Sequence, residues 1–292
     1  MGAPQRGLVG GAKRSDQYLV VRLHRFELDS AYPATVDIDR VDAVVYISPL
    51  FGRRIVEELG WPAEKLVYIP NFIDIDWLDR PKLPDARFTL GLGGAVPRRK
   101  RLDLALDLLA ADLAEDPRFT LNVRTQLPWA VPYAWRDPEE RAYYERVLER
   151  VETEPLLRGA VTFEPFGRDI AAWLRRIGHV LSPADAEGAP VATSEGMASG
   201  AVPVLRPWPG AEEIVGDWVQ PSVEAAARFV LESADAGVWE ARSSRARAEA
   251  RRTFDSAGVV AAWAELLHGR RAEAAAHFAA WSPFDATSRQ DR

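Results

Sequence analysis

The sequence predicts a parallel α/β protein that closes with a set of helices. Three observations carry this reading. Short apolar runs recur along the chain and alternate with helix-patterned segments. Glycines mark the helix ends, as at Gly60 and Gly200. The stretch from Leu181 to Leu205, LSPADAEGAPVATSEGMASGAVPVL, reads as one strand–loop–helix–strand unit. With 292 residues, 47% of them hydrophobic, the chain is long enough for about two domains with buried cores.

In chain order, residues up to Gln17 are glycine-rich and basic and read as flexible. Residues 18–23 form a buried strand ending at His24-Arg25-Phe26-Glu27, and 43–47 form a second. A helix from Pro49 to Leu59 stops at Gly60, and 66–69 is a short strand leading into Pro70-Asn71-Phe72-Ile73-Asp74. Asp29, Asp37, Asp39 and Asp42 read as turn and cap residues, and 74–87, with Pro81 and Pro84, as an interdomain linker. Residues 88–93 open the second domain, followed by a helix to about Leu113 and a strand at 119–124. The aromatic, proline-rich segment 127–144 reads as local packing under a long loop, before a helix to about Val151. A strand at 160–163, a helix at 170–175 and strands at 179–182, 202–205 and 218–220 complete the sheet. Ser222 caps a helix at 223–231, and 238–281 is helical. The expected layout is 1–80, 81–235 and a helical tail at 236–292.

Within the Leu181–Leu205 unit, Pro190 sits in the first helical turn, where its missing N–H costs nothing. The amides of Gly188, Ala189 and Val191 are expected to face a ligand crevice at that helix start, a place suited to a diphosphate. Glu187 precedes the helix and Glu195 lies inside it. An ionised carboxylate only accepts hydrogen bonds, which suits the hydroxyls of a sugar or ribose. Spacing alone favours the plainer reading, Glu195 as an exposed helix glutamate and Glu187 as a favourable charge near a helix start, because two glutamates eight apart are common. After residues 88–93, Gly93 and Gly94 let backbone approach a ligand, and Lys100 can offset phosphate charge. The stretch is neither a Walker nor a dinucleotide fingerprint.

Together these stretches resemble the retaining GT-B glycosyltransferases of family 4. E-G-A-P-V-A-T-S-E-G-M-A-S-G-A-V-P-V is similar to the family's donor-binding signature of two glutamates separated by seven residues, a small-residue helix end and a PV strand. Residues 93–103 resemble its G-R-x5-K phosphate loop, with Lys100 at the lysine position and Gly94 where an arginine is expected, leaving Arg98 or Arg99 to supply a second cation. Residues 70–74 are similar to its IPN-x-x-D segment, and 207–215 to its GG-x-x-E turn and helix. Phe166 and Gly167 fall where the family contacts the nucleobase. The resemblance runs over roughly 19–219 and covers only the tail of the family's first domain. It implies a Rossmann-like parallel sheet flanked by helices, the GT-B C-terminal domain, with a partial second Rossmann-like domain. A fragment, a partner supplying the acceptor half, and a shortened protein that no longer transfers are the three readings of that deficit.

The implied activity is transfer of a sugar, with retention, from a nucleotide-diphosphate sugar to a saccharide, lipid or small-molecule acceptor. The implied catalytic residues are Glu187, Lys100 and His24. Donor contacts fall to Gly93, Gly94, Arg99, Lys100, Phe166, Gly167, Glu187, Gly188, Ala189, Pro190, Val191 and Glu195. Glu187 would hold donor-sugar hydroxyls, Glu195 the ribose, and Lys100 with the helix amides the diphosphate, which is electrostatic catalysis. His24, at a strand's carboxyl end, is either a contact to the reacting groups or structural, and His179 is expected in the core. Neither cofactor nor metal is expected beyond the donor substrate. Two alternatives stand: a non-catalytic nucleotide-sugar-binding module or partner subunit, and a GT-B nucleotide-sugar epimerase. With no cysteine, a formal charge of −6 and no apolar run near a membrane span's ~20 residues, the sequence argues against disulfides and broad nucleic-acid affinity. Arg6 breaks the myristoylation pattern that Gly2 begins. A cytoplasmic location is expected, with membrane-surface contact through basic residues 242–252 as the lesser alternative.

Overall fold

The eight apolar runs between residues 18 and 205 all form strands in the computed structural model, which describes residues 13–284. Of the amino-terminal segment expected to be flexible, residues 1–12 lie outside the described residues. Lys13 pairs with Asp42, whose carboxylate also accepts the Leu19 amide at 2.6 Å. The chain divides into two units, Met1–Phe72 with Ser256–Arg292, and Ile73–Asp255.

The first unit holds β1 (Val20–Leu23), α1 (Arg25–Leu28), β2 (Ala43–Tyr46), α2 (Pro49–Leu59) and β3 (Leu66–Tyr68). Its strands run parallel in the order β1-β2-β3. All four residues of β2 are buried, as a central parallel strand covered on both faces must be. Gly60 ends α2 at φ +66°, a left-handed conformation that glycine adopts without a Cβ penalty.

The second unit begins with α3 (Ile75–Leu78), which Asp74 caps by accepting the Trp77 amide at 3.1 Å. The segment expected as a linker thus folds into the unit, and Ile75 and Leu78 join its core. There follow β4 (Thr89–Gly93), α4 (Leu102–Glu115), β5 (Thr120–Arg124), α5 (Pro132–Trp135), α6 (Pro138–Thr153), β6 (Val161–Glu164) and α7 (Ile170–Leu174). Then come β7 (His179–Ser182), α8 (Val191–Ala198), β8 (Val202–Leu205), α9 (Ala211–Val215), α10 (Val223–Glu232) and α11 (Ala236–Phe254). Two further helices, α12 (Ser256–Leu267) and α13 (Arg271–Ala276), belong to the first unit. No helix among the described residues is long and apolar enough to cross a membrane.

The five strands of the second unit are parallel in the order β6-β5-β4-β7-β8. Alternate residues face opposite sides of this sheet. Leu90, Leu92, Leu181 and Val204 pack towards α4, α6 and α10, whereas Val180 and Val202 pack towards α7, α8 and α11. Burying each such side chain contributes about 2 kcal/mol. Ala246, Ala250 and Phe254 of α11 belong to the same cluster as Val180 and Val202, so this helix counts with the sheet.

Two elements differ from the sequence reading. The segment at 127–144 is not all loop, because Asp137 accepts the amides of Glu139 and Glu140 and starts α6 there. Residues 218–220 form no strand, only an isolated bridge between Leu205 and Val219. Trp218 instead lies in a 3₁₀ turn with its ring buried and its indole N–H donating to Glu249 at 2.9 Å.

The buried face of α4 carries one charged-type residue, Asp112, fully buried and with no protein partner for either carboxyl oxygen among the described residues. Burial pushes its carboxyl up to about 8. The folded chain therefore holds this proton more tightly than the unfolded chain, whose ordinary value is 3.8. Stability from this group is complete below 3.8 and is lost as pH rises towards 8. Replacing Asp112 by Asn should abolish that alkaline loss and raise stability at pH 9 by about 2 kcal/mol. Calorimetric melting from pH 5 to 9 checks it; equal slopes in both proteins would contradict the assignment.

Candidate functional site

The chain leaves β4 to build β5 and β6 on one side, then returns to lay β7 and β8 on the other. The carboxyl ends of β4 and β7 therefore flank the point where the winding reverses, the usual place for a ligand crevice in an open parallel sheet. Gly93 ends β4. A Cβ built there would stand 2.7 Å from the Cβ of Ala192, so the start of α8 approaches the strand end at a distance that only glycine permits. Gly94 follows at φ +84°, its amide donating to the Arg124 carbonyl at 2.8 Å. An arginine at this position would be held in a conformation that residues with a Cβ rarely adopt.

The two loops above these strand ends are laced together. Arg98–Lys100 is a 3₁₀ turn. The Arg98 amide and guanidinium both donate, at 2.8 Å, to Glu140 and Glu139 of α6, so this arginine turns away from the crevice. Arg99 donates to the Ala186 carbonyl at 2.7 Å, and its own carbonyl accepts the Asp185 amide at 2.8 Å. Lys100 Nζ donates to Glu187 Oε1 at 2.5 Å, with Arg99 Nη1 3.9 Å from the other oxygen.

A cavity of about 250 Å³ opens between them. It is lined by Gly93 and Gly94, by Lys100 and Glu187, and by the start of α8 from Ala189 to Thr193. The Val191 amide, expected to face a ligand, donates instead to the Ala189 carbonyl at 2.9 Å. Pro190, at φ −77° and ψ 80°, folds the chain into that tight turn. The amides of Ala192 and Thr193 take its place: both residues line the cavity, and neither amide has an acceptor among the described residues. An anion there is favoured by about 0.3–1 kcal/mol through the helix dipole.

Glu195 lies a turn further along α8 and is not among the residues lining this cavity. Burial pushes its carboxyl up, opposed by the nearby positive charge of Arg124. Arg124 ends β5 with only 3% of its side chain exposed and pairs with Asp169. Gly167 packs against that pair, since a Cβ on it would meet Asp169 Oδ1 at 2.6 Å and Arg124 Nη2 at 3.0 Å. Phe166 stands beside Gly94 with 57% of its surface exposed.

Of the residues singled out in the sequence, the structure gathers Gly93, Gly94, Lys100, Glu187, Ala189, Pro190 and Val191 around one cavity. Arg99 braces the loop carrying Glu187, Phe166 stands beside Gly94, and Gly167 packs against Arg124. His24 belongs to the first unit, where its amide donates to Glu27 at 3.1 Å and burial, then Arg22, pushes its imidazole down. His179 is fully buried in β7, its imidazole pushed down to about 3 by burial. Arg124 escaped the sequence reading, although a charged residue closing the run LNVR was a usable signal. Among the described residues no group of three or more His, Asp or Glu side chains is arranged to hold a metal.

No protein-family model matches the sequence, and no curated protein matches it either. Solved structures do match by shape. HepE from Anabaena, solved with UDP and glucose, is 20% identical over 86% of this chain and 72% of its own, with a TM-score of 0.69. S. aureus TarM, solved with UDP, is 15% identical over 86% of this chain and 50% of its own, at 0.68. The pneumococcal O-GlcNAc transferase GtfA, with UDP and GlcNAc, is 14% identical over 87% of this chain and 52% of its own, at 0.63. Such likeness shows the fold: parallel sheets flanked by helices. The chain spans about half the length of TarM and GtfA.

Because the Gly93–Ala192 contact sets the crevice, Gly93→Ala should push α8 outwards and cost about 1–3 kcal/mol by overpacking. An unchanged melting temperature would show that the approach is not tight.

Proposed function

We propose that the chain binds a nucleotide-diphosphate sugar along the crevice, its diphosphate in this cavity, and transfers the sugar, with retention, to an acceptor. The observation that carries the reading is the convergence on one crevice of a lysine, a carboxylate and two free helix-start amides. Three structural neighbours solved with UDP support it, one of them named as an O-GlcNAc transferase.

In this reading Lys100 and the Ala192 and Thr193 amides receive the diphosphate. They stabilise the charge that builds on it as the glycosidic bond breaks. Glu187, released from Lys100 when phosphate takes its place, accepts from donor-sugar hydroxyls. Glu195 receives the ribose, with the Arg124 charge favouring its ionised form. Phe166 and Gly167 border the base. The acceptor is left open among saccharide, lipid and small molecule, and the protein is placed in the cytoplasm.

A second reading, a non-catalytic nucleotide-sugar-binding module, is favoured by one observation. Arg98 is committed to α6, and Gly94 stands where the family pattern has an arginine, which leaves Lys100 as the cavity's own cation.

Calorimetry with UDP, GDP and ADP tests binding. Wild type should bind at least one of them, Glu195→Gln about tenfold more weakly, by the loss of a carboxylate acceptor. Donor hydrolysis separates the two readings: an enzyme should lose about 100-fold in turnover in Lys100→Met, as when an oxyanion donor is removed. Glu187→Ala should also impair turnover while melting unchanged. Binding of none of the three nucleotides would end both readings.

A further inference from the structure

A second cavity, of about 220 Å³, lies on the other side of the second unit's crevice, between α4, α10 and the ends of β7 and β8. Its walls are apolar: Leu104, Ala105 and Leu108 of α4, Val204 and Leu205 of β8, and Ala226 of α10. It shares only Leu181 and Pro183 with the cavity described above. Two arginines, Arg101 and Arg206, stand at its mouth.

Both guanidiniums converge on one atom. Asp185 Oδ1 accepts from Arg101 Nη1 at 3.0 Å and from Arg206 Nη1. Arg101 is otherwise occupied, forking onto Asp103 at 2.9 and 2.8 Å. Arg206 has no other acceptor among the described residues, so most of its donors remain free at the rim. Asp185 is 46% exposed and sits on a loop, so its carboxylate is a replaceable occupant of the position between Arg101, which Asp103 anchors, and the exposed Arg206.

We propose that this cavity binds a short amphiphilic carboxylate, its apolar chain between α4 and α10 and its carboxylate displacing Asp185 between Arg101 and Arg206. The volume lies below the roughly 300 Å³ at which drug-sized pockets begin, which limits the guest to a short chain. A carboxylate is the right head because the present occupant is one, and guanidinium donors match its geometry. The proposal does not rest on nucleotide-sugar binding.

The test is titration of the full chain with octanoate, followed by calorimetry, with 1-octanol as the uncharged control. Octanoate should bind saturably and octanol about tenfold more weakly, the difference a charge-assisted hydrogen bond makes. Arg206→Met should weaken octanoate by a similar factor of about ten. Val223→Phe, which fills the cavity from the start of α10, should abolish binding. Asp185→Asn should tighten binding by about threefold or more, because the internal competitor loses its charge. A structural role for Asp185 would give no such gain. Melting curves confirm that each variant folds, and Arg206 is exposed enough for its replacement to be tolerated. No saturable binding, octanol binding as tightly as octanoate, or an affinity indifferent to both Arg206→Met and Asp185→Asn would overturn the proposal.

Discussion

A close approach between the last residue of β4 and the first turn of α8 underlies the crevice. Gly93 has no side chain, so the Ala192 methyl group in the first turn of α8 rests almost on the strand end. That contact places the Ala192 and Thr193 amides over the carboxyl ends of the central strands, where the sheet's winding reverses. Fixed backbone dipoles of this kind need no reorganisation when an anion arrives. Moving α8 outwards by the width of a methyl group would separate them from Lys100 and from Gly94.

Above that contact the loops are held by exchanged hydrogen bonds rather than by apolar packing. Asp185 and Ala186 trade backbone and side-chain bonds with Arg99, and Glu187 is tied to Lys100. Lys100 and Glu187 are 23% and 12% exposed, and their attraction is offset in large part by the cost of withdrawing both charges from water. A loop held in this way can exchange its partners for those of a ligand at small cost, whereas the glycine contact below it cannot shift. Rigid floor and exchangeable rim divide the work between positioning and admission.

Much of the fold was legible because each strand is a short apolar run and each helix end is punctuated. Gly60 and Gly200 are both left-handed, as helix-terminal glycines should be. The relation of Lys100 to Glu187, 87 residues apart, was not readable from spacing and came through family resemblance. The Val191 amide misled because a proline in the first turn also sets the backbone angle that turns the next amide inward. Arg124 was hidden by strand order: its neighbour Asp169 becomes close only once β6 lies beside β5. Trp218 looked like a strand residue because it is apolar, yet its indole N–H needs an acceptor, and Glu249 on α11 supplies it by way of a turn.

The mutual neutralisation of Lys100 and Glu187 also bears on how quickly an anionic guest arrives. At the rim one carboxylate, Glu187, is shared by Lys100 at 2.5 Å and Arg99 at 3.9 Å, and the chain as a whole carries −6. The overall charge opposes the approach of a phosphate-bearing molecule at long range, and only the local cations at the crevice favour it once it is near. Added salt, which slows association wherever opposite charges guide two partners together, should here relieve the repulsion between two negatively charged partners.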